Sequence, residues 1–278
     1  MIFVMKAVII NILNMTAWKM EAPELFGSFH ICASLIAAAA AVLLAILVSS
    51  GKADRHKKKS RCIGVLGFMG WVLAVLEIWK QLFIFFIVNG GAYDWWYFPF
   101  QLCSVPMYLC ILLPYVGNRT RDAFLTFIGG YTFVSAVATL IYPEDILRSY
   151  SALTVHGFVW HGLLLFISLV VLHTGSADTS ARGLLRASVL FAILCGIAVL
   201  INILAEPIMH NAAGLPHSWA AMFYLNPYHI SPQPLVGTIQ KTAGIPAGLL
   251  LYSIAVAAAG SIAARLLNKG ITKPLADQ

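Results

Sequence analysis

Apolar residues in this chain fall into long runs separated by short polar connections, with few polar positions recurring inside the runs. Seven runs reach the length of a bilayer-spanning helix: about 29–50, 62–88, 97–117, 122–142, 152–173, 184–205 and 245–267. About 20 apolar residues suffice for one crossing. The pattern predicts an all-α, polytopic membrane protein with seven transmembrane helices. Residues 29–268 form the transmembrane domain, 1–28 an N-terminal extension or interfacial segment, and 269–278 a tail. The opening "MIFVMKAVIINILNM" is apolar but short, and no A-x-A-like cleavage site follows it, so it reads as interfacial and not as a cleaved signal.

Charge then orients the spans. "GKADRHKKKSR" (51–61) carries six Lys/Arg, "GNRTRD" two, "GSADTSARGLLR" two, and the tail adds Lys269 and Lys273. The intervening connections are poor in basic residues: "NGGAYDWW" has none, "YPEDILRSY" only Arg148, and 206–244 only Lys241. The positive-inside rule therefore predicts an outer N-terminus, a cytoplasmic C-terminus and a multi-pass protein of the cell membrane. Composition agrees: 60% of residues are apolar and 10% charged, against roughly a quarter charged in soluble domains. The net charge of +7 is accounted for by this asymmetry and gives no reason to expect a nucleic-acid partner. All five cysteines (Cys32, Cys62, Cys103, Cys110, Cys195) lie in or at the ends of apolar runs, so no disulfide framework is legible.

The long outer connection, 206–244, is rich in Pro, Gly, His and aromatics. It reads either as the lid or wall of a site or as an interfacial cap held at headgroup level by Trp219, Phe223, Tyr224 and Tyr228. No internal repeat is visible, so nothing points to an inverted-repeat transporter.

Polar groups inside spans cost about 2.5–3.5 kcal/mol each on insertion scales, and so mark function by default. They are few. Span two carries Glu77, Lys80 and Gln81; span three Gln101, Cys103 and Ser104; span five His156 and His161; span six Asn202. On the topology above, most of them share the outer half of the bilayer. Glu77 and Lys80, spaced i,i+3, also suit a self-neutralising helical pair. His156 also suits a hydrogen bond to a backbone carbonyl. His161, five residues on, is expected to face away from it, and the outer histidines show no zinc spacing. Pro99 is tolerable in a first helical turn, whereas Pro106, taken as interior, would free the carbonyl of Leu102 beside Cys103 and Ser104.

Several stretches resemble the YwaF-type family of bacterial integral membrane proteins: "ELFGSFH" before span one, "FPFQLCSVPMYLCILLP" in span three, "VHGFVWHG" in span five and "NPY" before the last span. The family pattern at span three is Leu-Pro-Leu-His-Leu-Cys-Ser. Pro99, Leu102, Cys103 and Ser104 fit it, Gln101 stands where the histidine is expected, and His156 fits the span-five histidine. That family is distantly similar to a eukaryotic ether-phospholipid membrane acyltransferase and, further off, to membrane ester hydrolases using Thr and His. In the acyltransferase the nucleophilic Cys directly follows the proline and a His follows the Cys; those positions here are Phe100 and Gln101. The resemblance implies a lipid acyltransferase or acyl hydrolase with Cys103 as nucleophile, His156 as base, and Gln101 or Ser104 as oxyanion donor. Glu77, Lys80, Gln81, Asn202, Asn226 and His229 complete the expected binding residues. The alternative is a non-enzymatic protein that binds or transports a lipid or small solute. Membrane lipids are the expected partners; no metal or cofactor is expected.

Overall fold

The computed structural model describes residues 2–51, 54–210 and 215–272. Lys52, Lys273 and the remaining tail residues to 278, which the charge and domain readings include, lie outside them. The described residues are mostly helical, with no strand beyond a single isolated β-bridge between Lys19 and Tyr150. In chain order the helices are α1 (Ile2–Asn14), α2 (Ser28–Ser49), α3 (Arg55–Phe83), α4 (Val105–Leu112), α5 (Asn118–Phe127), α6 (Phe133–Ile141), α7 (Ser151–His173), α8 (Ala181–His210), α9 (Pro234–Ala243) and α10 (Ile245–Thr272). A π turn extends α3 to Val88, and another, Ile128–Thr132, joins α5 to α6. Counting α5 and α6 as one, six helices among the described residues are long and apolar enough to cross a membrane.

Helix α7 is the axis. In its most apolar stretch 83% of residues are buried, against 11% for α2 and 17% for α10. A helix apolar all round needs an apolar environment on every side. For α7 that environment is protein; α2, α8 and α10 leave Leu35, Leu47, Leu204 and Leu250 exposed, as suits helices that meet lipid. Close approaches rely on glycine. A Cβ on Gly70 would fall 2.7 Å from the Ile111 nitrogen, and one on Gly130 would fall 2.2 Å from the Gly260 oxygen of α10.

The two ends differ in chemistry. At one end Lys59 meets Asp122 at 2.6 Å, Arg61 donates to the Ser50 carbonyl, and Arg186 lies 3.9 Å from Asp178. The other end gathers α1, the connections 89–104 and 142–150, and the segment 215–244. Here α1 is docked on the bundle, with Leu13 packed among Phe83, Ile84 and Leu153. Backbone bonds join Trp18 to Ser151 and Met20 to Ser149.

The run 97–117 departs from its expected form. It lies antiparallel to α3, with Tyr97 beside Gln81, Ile111 beside Gly70 and Pro114 beside Gly67. Only Val105–Leu112 is α-helical, however, a rise of about 12 Å against a hydrocarbon core of about 30 Å. Pro99 holds Phe98 extended (φ −53°, ψ 133°). Pro106 sits in the first turn of α4, where its missing N–H has no partner to lose. The expectation of an interior proline freeing the Leu102 carbonyl is thereby corrected: Leu102 precedes the helix.

Irregular backbone at membrane depth is tolerable only if its polar groups find partners in the protein. They do. The Tyr97 carbonyl accepts from Gln81 and that of Pro99 from the Tyr108 hydroxyl at 2.8 Å. The Gln101 carbonyl accepts from the N–H groups of Ser104 and Val105. The Cys103 carbonyl accepts from the Trp160 indole at 3.2 Å.

Candidate functional site

The broken stretch 97–104 forms one wall of a largely apolar cavity of about 910 Å³. Facing walls come from α3, α6, α7, the connection 142–150, the segment 216–235 and α10. Cys103, Ser104, Gln101, Lys80, His156 and His161 all line it. Helical spacing predicts that His161 faces away from His156; the cavity, wide enough to wrap α7, receives both. Its rim carries the exposed apolar residues Val88 and Leu235.

His156 is held by its surroundings. Its Nε2 lies 3.1 Å from the Leu76 carbonyl, and its ring stacks between Trp79 and Trp160 at centroid distances of 5.6 and 5.7 Å. A carbonyl only accepts, so Nε2 carries the proton and Nδ1 keeps the lone pair. By the same logic His161, whose Nδ1 meets the Gly157 carbonyl at 2.8 Å, keeps its lone pair on Nε2. Among the described residues no hydrogen bond joins Cys103 to either ring. The link is indirect: Trp160 stacks on His156 and donates to the Cys103 carbonyl. Cys103 immediately precedes Ser104, the N-cap of α4, where a helix's partial positive charge favours an anion.

Lys80 is placed by Glu77. The two are 2.8 Å apart, Gln81 donates to the other Glu77 oxygen at 2.7 Å, and Lys80 lies 5.8 Å from the centre of the Trp160 ring. Lys80 reaches the cavity lining; Glu77 and Gln81 stand behind it.

The remaining expected binding residues hold the segment above the cavity. Asn202, fully buried, bonds both backbone groups of Met222, at 2.7 and 3.1 Å. Asn226 donates to the Ala220 carbonyl and accepts from the N–H groups of Tyr228 and His229. His229 meets Glu206 at 2.6 Å and stacks on Trp219. None of these three lines the cavity. Gln101 does, yet its amide is also engaged: it donates to the Ala221 carbonyl at 3.0 Å and accepts from Phe223 N–H at 2.9 Å. One Nε2 hydrogen remains for a ligand.

These bonds fix two consecutive residues in the left-handed region, Phe223 (φ 54°) and Tyr224 (φ 57°), a conformation that costs of order 1–3 kcal/mol per non-glycine residue. Phe223 is buried, not interfacial. Tyr224 hydrogen-bonds Asp145, and burial, then the Asp145 charge, holds its phenol well above the ordinary range. It therefore stays protonated and donates. The segment is thus a packed wall of the cavity.

Some lining residues carry no clear signal in the sequence. Trp160 shares a face with His156 by its i,i+4 spacing, the one available hint. Arg148 lines the mouth of the cavity and bonds the Tyr97 hydroxyl; in sequence it is only the lone arginine of an otherwise base-poor connection. Among the described residues no cluster of three or more His, Cys, Asp or Glu is arranged to hold a metal.

Comparison with known proteins agrees with the membrane architecture. The model of the TMEM164 family, a membrane protein family, matches residues 25–258, a range that contains every residue named for the cavity. No curated protein and no solved structure matches the chain.

Proposed function

The chain belongs to the TMEM164 family, and on that premise we propose that the cavity transfers or hydrolyses an acyl chain of a membrane lipid. The observation that carries this reading is the convergence of Cys103 and His156, from separate elements, on one largely apolar cavity whose lining includes exposed apolar residues. Cys103 Sγ attacks the ester carbonyl carbon while its proton passes to His156 Nδ1. The ester C–O bond breaks, the alcohol leaves with that proton, and the acyl group stays on sulfur. A second alcohol, or water, then takes the acyl group and returns the proton to the thiol. The free hydrogen of Gln101 or the Ser104 hydroxyl supports the oxyanion. The resemblance to YwaF-type proteins and their acyltransferase relatives fits the same assignment.

The topology we propose has seven crossings, the run 97–117 being the irregular third, with the N-terminus outside and the C-terminus in the cytoplasm of a cell-membrane protein. Lys59, Arg61, Arg121 and Arg186 then share the cytoplasmic face. An epitope at the C-terminus is expected to react with antibody only after permeabilisation; reaction in intact cells would reverse the orientation.

Intact-mass analysis of purified protein incubated with phospholipid vesicles tests the chemistry. A mass increase of one acyl chain is expected, absent in Cys103→Ala and sharply slowed in His156→Ala. The missing Cys103–His156 hydrogen bond and the engaged Gln101 amide favour a second reading, a non-enzymatic lipid or solute binder. That reading gains if lipid binds to wild type with no adduct.

A further inference from the structure

We infer that Arg148 and Tyr97 form an anion-binding pair at the cavity mouth, placed to take the phosphate of a phosphodiester lipid headgroup. The inference rests on the reading that the cavity receives a membrane lipid, and it concerns which lipids enter and how they are oriented.

Arg148 lies with its guanidinium carbon 4.9 Å from the centre of the Tyr97 ring, and its Nη1 donates to the Tyr97 hydroxyl. Among the described residues it has no carboxylate within ion-pair distance. The other charged groups of the cavity are committed: Lys80 to Glu77 at 2.8 Å, and Asp145 to the Tyr224 hydroxyl. Arg148 keeps further N–H donors after serving Tyr97. The Tyr97 hydroxyl, having accepted from arginine, keeps its own proton to donate. Both residues line the cavity, and both are only partly exposed. A partly desolvated arginine without a carboxylate beside a tyrosine donor suits an oxyanion with several acceptor oxygens, and arginine's planar fork suits phosphate in particular.

Depth makes the assignment specific. The Tyr97 carbonyl is bonded at the level of Gln81, and His156 at the level of Leu76. Five residues of α3 separate these levels, roughly 7.5 Å of rise. In a glycerophospholipid five bonds separate phosphorus from the sn-2 ester carbon, a reach on the order of 6 Å at bond lengths of about 1.5 Å. A lipid whose phosphate sits on Arg148 can therefore extend its ester toward the level of His156. Its chains run along the apolar walls.

The test uses the full chain in detergent micelles and two fluorescent probes with identical acyl chains, one a phosphatidylcholine and one a diacylglycerol. Arg148→Gln is expected to weaken phosphatidylcholine binding by about 10- to 100-fold and to leave diacylglycerol binding unchanged, which also reports that the cavity is intact. Arg148→Lys is expected to recover part of the loss. Equal weakening of both probes, or of neither, overturns the inference. Inorganic phosphate that displaces the phosphatidylcholine as completely as unlabelled lipid overturns its lipid part and assigns the pair to a soluble anion. The acyl-adduct measurement on the same variants keeps the two proposals apart. Arg148-dependent binding without an adduct sinks the chemistry and leaves the headgroup site; an adduct formed normally by Arg148→Gln does the reverse.

Discussion

Gly130→Ala is expected to leave little folded protein in detergent extracts, with a melting temperature far below wild type in whatever survives. The added methyl would fall 2.2 Å from the Gly260 carbonyl oxygen and 2.9 Å from Ala264 Cβ, well inside the 3.5–4.0 Å at which non-bonded carbon atoms settle. Overpacking in side-chain cores costs about 1–3 kcal/mol because rotamers and backbone can adjust. Here the obstacle is backbone, and α10 cannot retreat freely. Its own Gly260 is pressed against the Tyr131 ring, where a Cβ would meet the ring at 2.7 Å. That ring is buried, stacked on Phe127 and bonded to Ser188 at 2.9 Å. The expected cost is on the order of 3–5 kcal/mol, at the upper end of single substitutions. Gly64→Ala is the control: nothing lies within 4 Å of its added methyl, and the better helix propensity of alanine should leave it neutral or stabilising by up to about 1 kcal/mol. Equal melting temperatures for Gly130→Ala and Gly64→Ala would mean that the contact between these helices is looser than described.

Asn202→Leu is expected to release the segment above the cavity. The substitution roughly conserves volume but strips partners from the buried N–H and C=O of Met222. Each unpaired buried group costs about 1–3 kcal/mol. The two left-handed residues that follow, Phe223 and Tyr224, then lose the bond that helps enforce their conformation. Limited proteolysis should cut the variant between Pro216 and Tyr228 under conditions that spare wild type, and its melting temperature should fall. A wild-type digestion pattern would assign the hold on this segment to Gln101, Tyr224 and Asn226 alone.

The helices were legible because burying backbone in lipid demands long apolar runs, and such runs dominate this chain. The run 97–117 departs from that rule for a specific reason. Its composition is that of a membrane helix, but its backbone bonds go to Gln81, Tyr108 and Trp160, and the Gln101 amide reaches the backbone of Ala221 and Phe223. No local pattern announces partners 120 residues away. At the site, Cys103, Gln101, Lys80 and His156 were legible as polar residues in apolar surroundings. Asn202 and Asn226 give the same signal while bonding irregular backbone, and His229 while bonding Glu206: side chains that tie a segment down are as polar, in sequence, as side chains that bind ligand. Trp160 and Arg148 carry no comparable signal, because an aromatic in a span and an arginine in a loop are both ordinary.

The irregular stretch 97–104 also bears on the order in which the protein is made. Its thiol belongs to the first half of the chain, while Trp160, His156 and the wall at 221–223 all belong to the second. A nascent chain that has emerged only as far as α6 carries Cys103 without the indole that holds its carbonyl, without its histidine and without the backbone that fixes Gln101. The cavity is therefore closed only once the second half of the chain is in place, and a chain that ends at α6 holds Cys103 and Gln101 without the partners that fix them.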